Sequence, residues 1–458
     1  MKNLIPIVSI AFLLIGCSDR FLDEQPNSNI FTPEKPDDFQ RLLDNFEYVG
    51  VGNVLPQMSA DEYYIVTEEN WISSRTAVEK STYIWDKDIY GGEVNIGDWN
   101  FPYQTIFYVN NILNKIEENN DLNRLDKSLS DIYGQALFHR ANAYYDLLSN
   151  FSVPFDAKTQ STDLGIPLRN DASVDYTVGR STVQECYDLI FSDLSKSLDF
   201  LQYSQPIEQR NRPTRLAAYG LLSRIHLNRR EYGQAEKWAD VFLEKYNKVN
   251  DYNTLSESSI YPFSTAHDEL IMYGKTNVYN NARCNNTTQT VFVDSTLINF
   301  YDNNDLRLSI YFKELVQGKY IMKAGYNGIT LSPFTGVAVD EIMLIKAECL
   351  ARKNEIKKAA DLMNLLLIKR YRTGTYVPIT FPNQEVALEF VLLERRKELI
   401  WRCRRWEDIK RLNKEGANIV LKRVIGNKEY TLEPNSPRYV FNIPQDEINR
   451  SGIEQNNR

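Results

Sequence analysis

Apolar side chains recur every three or four positions through several long stretches of the chain. This spacing places them on one face of a helix, and residues 99–116 and 133–148 follow it. Residues 180–201 repeat the pattern after Thr182 and Glu185, which form the T-x-x-E signature of a helix N-terminus. The hydrophobic pattern therefore predicts a chain that is mainly α-helical.

Two later segments share a spacing of small residues. Residues 223–235 and 347–359 both begin and end with a small side chain, on either side of a polar turn. Small side chains let two antiparallel helices cross closely, as they do in tetratricopeptide repeats. The pattern predicts tetratricopeptide-like helix pairs. The crossing positions would be Ser223 and Ala235 in the first pair and Ala347 and Ala359 in the second.

Helical periodicity is absent from two regions, residues 50–98 and about 250–335. Both are rich in Tyr, Asn, Thr, Ser or Gly. Loops of this length in a compact protein are usually either functional or disordered, and their many aromatic residues argue for order. We expect these loop-rich insertions to carry the function of the protein.

The N-terminal sequence predicts a lipoprotein signal peptide. Lys2 precedes twelve mainly apolar residues, 4–15, which are too few to span a bilayer. Glycine and then Cys17 follow, as in the lipobox of bacterial lipoproteins, where the cysteine is acylated. We therefore expect a signal peptide at 1–16, a lipid on Cys17 and an extended tether over 17–36. An ordinary cleavable signal with an accidental cysteine is the alternative.

Composition and motifs argue against several classes of function. A net charge of −8 disfavours nucleic-acid binding through a broad basic field. His139, His226 and His267 show no metal-ligand spacing, and the G-x-S-x-G, P-loop and G-x-G-x-x-G motifs are all absent from the sequence. Cys186, Cys349 and Cys403 lie in helical patterns and are expected to be small core residues. We expect neither a metal nor a cofactor.

Residues 394–411 contain two carboxylates that could act in acid/base catalysis. Glu394 and Glu398 lie one helical turn apart, and two carboxylates about 5 Å apart would suit a retaining glycosidase. Arginines crowd this stretch, and the spacing instead predicts ion pairs along one helix, from Glu398 to Arg402 and from Arg404 to Asp408. Arginines would also lower the carboxylate pKa values, whereas a general acid needs a raised pKa. A surface glycoside hydrolase remains the alternative.

Eight segments along the chain carry a family resemblance: CSDRFLDEQP (17–26), MSADEYY (58–64), WNFPYQTIFYVNNIL (99–113), ALFHRANAYYDLLSNFSVPF (136–155), AYGLLSRIHLNRREYGQAEKWA (218–239), DEIMLIKAECLARKNEIKKAADLMNLLLIKR (340–370), ERRKELIWRCRRWEDIKR (394–411) and YVFNIPQDEINRSGIEQN (439–456). In this order, the segments resemble the SusD/RagB family of outer-membrane nutrient-binding lipoproteins from Bacteroidota. Cys403 departs from the glycine that family members commonly have there, and Arg402 from glutamate. The resemblance implies one SusD-like α-α superhelical domain over residues 37–458.

The resemblance implies a protein that binds and does not catalyse. Such proteins capture oligosaccharide, or in some branches peptide, at the exterior of the outer membrane and deliver it to a SusC-like TonB-dependent transporter. Membrane attachment would be through the lipid anchor. A helical-repeat scaffold that binds only other proteins is a further alternative.

Family sites use loops equivalent in order to residues 60–100 and 270–330. Aromatic faces stack on sugar rings, while Asn and Arg side chains bond their hydroxyls. Loops on a rigid helical frame can present both. From the resemblance we expect ligand contacts from Trp71, Tyr279, Asn281, Arg283, Tyr320 and Tyr326.

Overall fold

The computed structural model describes residues 35–170, 177–204, 206–277, 279–328 and 331–458. The predicted signal peptide, Cys17 and nearly all of the predicted tether lie outside the described residues. Within those residues, no helix combines the length and the apolar character needed to cross a bilayer.

Helices dominate the fold, as the hydrophobic pattern predicts. The helices in the described ranges are α1 (Pro36–Leu43), α2 (Leu55–Ser59), α3 (Glu68–Ile72), α4 (Ala77–Tyr83), α5 (Gly97–Asn119), α6 (Lys127–Phe151), α7 (Val183–Phe200), α8 (Arg215–Asn228), α9 (Tyr232–Lys245), α10 (Ser295–Ile298), α11 (Arg307–Tyr311), α12 (Val339–Arg352), α13 (Ile356–Leu367), α14 (Gln384–Glu398), α15 (Arg405–Asn413) and α16 (Gln445–Ser451).

The predicted start of α7 is confirmed. The Thr182 hydroxyl accepts a 3.1 Å hydrogen bond from the backbone N–H of Glu185. In return, the Glu185 carboxylate accepts a 2.7 Å bond from the Thr182 N–H. This reciprocal cap satisfies backbone groups that the first helical turn leaves without partners.

The long helices pack in sequential pairs. Helix α5 packs on α6, α6 on α7, α8 on α9, and α12 on α9, α13 and α14. The Ser223 hydroxyl donates a 3.0 Å bond to the carbonyl oxygen of Ala235 at the α8–α9 crossing. The predicted tetratricopeptide-like pairing is thus confirmed. All four predicted crossing residues are fully buried: Ser223, Ala235, Ala347 and Ala359.

Short strands occupy mainly the irregular regions and form two-stranded sheets. They are β1 (Val51–Gly52), β2 (Tyr63–Ile65), β3 (Leu164–Pro167), β4 (Arg180–Thr182), β5 (Leu270–Met272), β6 (Lys275–Thr276), β7 (Val291–Val293), β8 (Phe312–Val316), β9 (Lys319–Met322), β10 (Val337–Ala338), β11 (Leu421–Ile425) and β12 (Lys428–Leu432). The pairs are β1–β6, which is parallel, and the antiparallel β2–β7, β3–β4, β5–β10, β8–β9 and β11–β12.

Two of these pairs join the two irregular regions to each other. Val51 of β1 lies opposite Lys275 of β6, and Tyr63 of β2 lies opposite Val293 of β7. Aromatic and aliphatic side chains of both regions, such as Tyr63 and Phe263, form a second core cluster beside the main helical one, and Trp401 joins it from the segment between α14 and α15. The two predicted loop regions therefore form one ordered unit on the helical frame.

The prediction of one continuous helix over 394–411 is wrong. Helix α14 ends at Glu398 and α15 begins at Arg405. Between them, Trp401 and Cys403 adopt left-handed backbone conformations with φ of 59° and 58°. Cys403 is buried, as expected of a small core residue, but it lies in this break and not in a helix.

Partners from the N-terminal part of the chain explain the break. The backbone N–H of Trp401 donates to the Glu62 carboxylate at 3.1 Å, and that of Cys403 donates to the Gln57 side-chain oxygen at 3.3 Å. These groups satisfy backbone donors that the helix would otherwise have used. Periodicity within the segment could not show such long-range partners.

The predicted ion pairs along this segment are also wrong in detail. Because the helix is interrupted, residues four positions apart do not share a face there. Glu398 pairs with Arg307 and Arg370, and Arg402 pairs with Asp340, all in other elements. Asp408 of α15 pairs with Arg395 of α14 and with Arg411 of its own helix, and Arg404 pairs with Glu407.

Candidate ligand-binding surface

Residues 71–77 and 279–283 pack against each other and contain four of the six predicted ligand residues. We call them the Trp71 surface. The first segment runs from the end of α3 into the start of α4, and the second includes the 3₁₀ turn Asn280–Ala282. The surface thus combines residues from both irregular regions.

Glu79 fixes both halves of this surface. One carboxylate oxygen accepts a 2.9 Å hydrogen bond from the backbone N–H of Asn281. The other accepts a 3.1 Å bond from the N–H of Thr76, whose hydroxyl in turn accepts the N–H of Glu79. Since Glu79 is fully buried, these bonds form away from competing water.

Trp71 is held at its polar edge. Its indole N–H donates a 3.1 Å hydrogen bond to the carbonyl oxygen of Lys80, and the ring packs on the second core cluster. The side chain is half-buried, and its neighbour Ile72 is exposed. A ring fixed in this way can offer its uncovered part to a ligand with little loss of conformational entropy.

Asn281 contributes mainly to the frame. Only 4% of the residue is exposed, and its side-chain amide donates a 3.3 Å bond to the hydroxyl of Ser74. This bond and the one from its backbone tie the 3₁₀ turn to the α3–α4 turn. In this conformation the amide positions its neighbours and has little surface for a ligand.

Tyr279 and Arg283 flank Asn281 and differ in exposure. Tyr279 is half-buried, whereas Arg283 is exposed. Burial raises the pKa of Tyr279, and the nearby carboxylates of Asp98 and Glu93 raise it further. The Tyr279 hydroxyl therefore stays protonated at neutral pH and is able to donate a hydrogen bond.

Tyr320 lies on the neighbouring β8–β9 hairpin. It is half-buried and faces Glu314 across the hairpin. The hairpin contacts the segment that directly follows the Trp71 surface, because the N–H of Asn285 donates a 2.7 Å bond to the carbonyl oxygen of Met322 at the end of β9. Tyr320 therefore belongs to an adjoining element and not to the surface itself.

The structure places Tyr326 in the protein interior. It is 6% exposed, and its hydroxyl donates a 2.5 Å hydrogen bond to the Glu269 carboxylate. The Arg402 guanidinium lies 3.7 Å from the ring centroid, and the Phe334 ring lies 5.3 Å from it. Tyr326 is thus separated from the exposed residues of the surface.

Glu394 and Glu398 do not form an open pair of carboxylates. The Arg307 guanidinium lies 2.7 Å from Glu394 and 2.9 Å from Glu398, and all three residues are buried. Burial raises the pKa of Glu398, but the positive charges of Arg370 and Arg307 have a larger opposite effect, so the pKa lies below its usual value. This environment favours ion pairing over the proton transfer that a general acid performs.

Glu79, which organises the Trp71 surface, is not among the residues predicted from the sequence. Thr76 and Glu79 have the same T-x-x-E spacing as the start of α7, and this signal could have located the start of α4. Nothing local in the sequence indicates that the second carboxylate oxygen would bind Asn281.

Comparisons with known proteins agree with this architecture. The family model "Starch-binding associating with outer membrane" matches residues 20–227, and the model "SusD family" matches residues 247–457. A comparison with curated protein sequences found no match.

Solved structures from Bacteroides share the fold. A SusD superfamily protein from Bacteroides thetaiotaomicron VPI-5482 has a TM-score of 0.72 at 22% identity, covering 93% of this chain and 100% of its own. A SusD-like carbohydrate binding protein from Bacteroides vulgatus ATCC 8482 has a TM-score of 0.65 at 17% identity, covering 92% and 97%. Another protein of that description, from Bacteroides fragilis NCTC 9343, has a TM-score of 0.67 at 14% identity, covering 91% and 98%. Together, the two family matches and the shared helical architecture show that this chain belongs to the SusD/RagB family.

Proposed function

We propose that this protein is a non-catalytic binding protein of the outer membrane that captures nutrient oligosaccharide through the Trp71 surface. Membership of a family described as starch-binding and associated with the outer membrane supports this function. The observation that carries the proposal is the arrangement of half-buried Trp71 and exposed Arg283 on a frame fixed by Glu79. An aromatic ring and a guanidinium group suit the apolar face and the hydroxyls of a sugar.

Binding of oligosaccharides to the purified protein tests this proposal. Isothermal titration calorimetry against a panel of neutral and acidic oligosaccharides identifies a ligand, and Trp71→Ala is expected to weaken its binding by about tenfold or more, since stacking on a ring is lost. Trp238→Ala is the matched control, because Trp238 is also half-buried and stacks on Tyr219 in the α8–α9 pair. Equal loss in both variants, or binding of peptides but no glycan, would contradict the proposal.

Absence of catalysis is a separate part of the proposal. The ion pairs of Glu394 and Glu398 with Arg307 support it. We expect no new reducing ends when the protein is incubated with each oligosaccharide that it binds. Release of reducing ends that is abolished by Glu394→Gln would instead support the glycoside hydrolase alternative.

Attachment and delivery complete the proposed function. We infer that the signal peptide is removed after residue 16, that Cys17 is acylated, and that residues 17–36 connect the lipid to a single domain over 37–458. Each CH₂ group of an acyl chain that enters the bilayer contributes about 0.8 kcal/mol of binding free energy, so several chains would hold the protein at the membrane. Cys17→Ala is expected to release the protein from the outer-membrane fraction.

The partner would be a SusC-like TonB-dependent transporter, which imports the captured ligand. We expect the lipidated protein to co-purify with such a transporter from the outer membrane. If the transporter complex persists in a variant that has lost oligosaccharide binding, capture and docking are separate functions. A protein that binds the transporter but no ligand would be a helical-repeat scaffold.

A further inference from the structure

A second concave site lies between the turn at residues 86–93 and the C-terminal segment 442–458. Its volume is about 550 Å³, which falls within the usual size range of ligand pockets. Amide and charged side chains dominate its lining, together with Tyr90. Among the lining residues are Asp86, Lys87, Glu93, Asn442, Gln455 and Arg458.

The two walls of this C-terminal cleft are tied together. The Tyr90 hydroxyl donates a 2.6 Å hydrogen bond to the carbonyl oxygen of Asn442. The Arg458 guanidinium donates to the carbonyl oxygens of Asp86 at 2.9 Å and Val440 at 2.8 Å. The cleft is thus preformed by contacts between distant parts of the chain, which lowers the entropic cost of binding.

Two buried polar atoms on cleft-lining residues have no hydrogen-bond partner among the described residues. One is the guanidinium nitrogen Nη2 of Arg458, a donor, and the other is the side-chain oxygen Oδ1 of Asn442, an acceptor. The whole Arg458 residue is only 7% exposed. Both atoms are buried beneath the cleft wall, and since buried polar groups are normally bonded, a ligand that reaches them after a small movement of the lining would satisfy an unmet donor and an unmet acceptor.

The charges of the lining decide between classes of ligand. Asp86, Asp88 and Glu93 oppose Lys87 and Arg458, so acidic side chains outnumber basic ones by three to two. An anion would meet this excess of negative charge and would leave the acceptor unsatisfied. A simple cation would leave the Arg458 donor unsatisfied. A hydroxyl group both donates and accepts, so a neutral sugar fits the lining best.

The cleft also adjoins the Trp71 surface. Glu93, which lines the cleft, accepts a hydrogen bond from the backbone N–H of Ala77 at the start of α4. Ala77 is the last residue of the α3–α4 half of that surface. A single extended ligand could therefore contact both places.

We propose that the C-terminal cleft is a second oligosaccharide subsite, selective for neutral sugar units, in which Asn442 and Arg458 bond the sugar hydroxyls. This inference rests on the proposed function, because it assigns a further part of the same ligand to a new part of the protein. It extends the binding region from the irregular loops to the C-terminal segment.

Variants of the full chain test this subsite. Asn442→Leu removes the unmet acceptor while keeping a side chain of similar size, and it spares the backbone carbonyl that Tyr90 uses. Arg458→Gln is a second variant that removes the guanidinium donors. Asn303→Leu, at an exposed position outside the cleft lining, is the matched control.

Binding is measured by calorimetry with maltoheptaose and xylohexaose as neutral probes and trigalacturonate as the acidic probe. We expect a neutral probe to bind more tightly than trigalacturonate, and Asn442→Leu to weaken that binding by about tenfold. Asn303→Leu should leave it unchanged. In wild-type protein, the same probe should slow amide hydrogen exchange in residues 86–93 and 442–458.

The outcomes separate this inference from the proposed function. If a probe binds and Trp71→Ala weakens that binding, but Asn442→Leu and Arg458→Gln leave the affinity unchanged, the subsite is refuted and the proposed function stands. Tighter binding of trigalacturonate overturns the predicted selectivity for neutral sugars. If none of the three probes binds, the proposal that the cleft binds these sugars is refuted. Binding to the wider oligosaccharide panel then tests the proposed function separately.

Discussion

The carboxylate of Glu79 accepts a 2.9 Å hydrogen bond from the backbone N–H of Asn281, a residue 202 positions further along the chain. The same carboxylate caps the start of α4 through Thr76. One buried side chain thus connects the α3–α4 turn to the 3₁₀ turn that follows β6. The geometry of the Trp71 surface depends on this connection.

Replacing Glu79 should therefore affect both stability and binding. Glu79→Ala leaves the N–H groups of Thr76 and Asn281 without this partner, so we expect a loss of about 1–3 kcal/mol in the free energy of unfolding. It should also weaken oligosaccharide binding. Thr76→Ala is the control, because it removes the hydroxyl cap, at a cost of about 1 kcal/mol, but keeps the bond to Asn281. Equal effects of the two variants on binding would contradict this role of Glu79.

The left-handed backbone of Cys403 predicts an unusual preference for glycine. A side chain at a φ of 58° is strained, whereas glycine adopts this conformation freely. We expect Cys403→Gly to be more stable than Cys403→Ala by about 1 kcal/mol in chemical denaturation.

The matched control for Cys403 is Cys349, which is also buried but lies within α12. There the order should reverse, with the alanine variant more stable than the glycine variant by about 1 kcal/mol. A more stable alanine variant at both positions would show that the backbone at Cys403 is not strained.

Glu62 should make stability depend on pH. Burial raises its pKa from 4.5 to about 7, although hydrogen bonds from Gln57 and Trp401 act in the opposite direction. Between pH 4.5 and 7, the folded state therefore keeps a proton on Glu62 that the unfolded state has already released. The contribution of Glu62 to stability is complete below pH 4.5 and is lost as the pH rises through 7, a change of about 3 kcal/mol.

Denaturation of wild-type protein and Glu62→Gln across pH 5–8 measures this contribution. The variant keeps an oxygen that can accept the Trp401 N–H but cannot ionise, so its stability should fall less with rising pH than that of the wild type. The carboxylates of Glu341 and Glu348, whose pKa values are lowered to about 2, add no slope in this range. Parallel pH profiles for the two proteins would rule out a raised pKa at Glu62.

The buried ion pairs of Glu398 should be essential for stability. Its carboxylate lies 2.9 Å from Arg307 and 2.7 Å from Arg370, and all three side chains are fully buried. Glu398→Gln leaves two buried guanidinium groups with less compensating charge, so we expect a loss of about 3 kcal/mol or more. Asp361→Asn, which breaks the exposed pair with Lys357, should cost about 0.5 kcal/mol or less. Similar losses in denaturation curves would contradict this difference.

Much of the helical frame could be predicted from the sequence. The stripe of apolar residues in α7 and the small residues at the α8–α9 crossing act through spacing along the chain, and helical geometry turns that spacing into a face. The Thr182–Glu185 cap is equally local. Such features depend on residues within a few turns of one another.

The break between α14 and α15 shows where local reasoning fails. A regular pattern of charges predicted one helix, but Glu62 and Gln57 bind the backbone of Trp401 and Cys403. Tyr326 is a similar case, because its aromatic side chain in a loop region suggested ligand contact, yet Glu269 binds its hydroxyl in the interior. Both outcomes depend on partners supplied by distant segments.

Helical periodicity and motif order depend on neighbouring residues, so the fold class, the family and the two regions that form the Trp71 surface could be inferred from the chain alone. Tertiary packing, in contrast, sets which side chains within those regions face outward. It paired Glu79 with Asn281, enclosed Tyr326 and placed Arg458 beside the turn at Asp86. Exposure depends on which distant segments pack together, and that is a property of the whole fold.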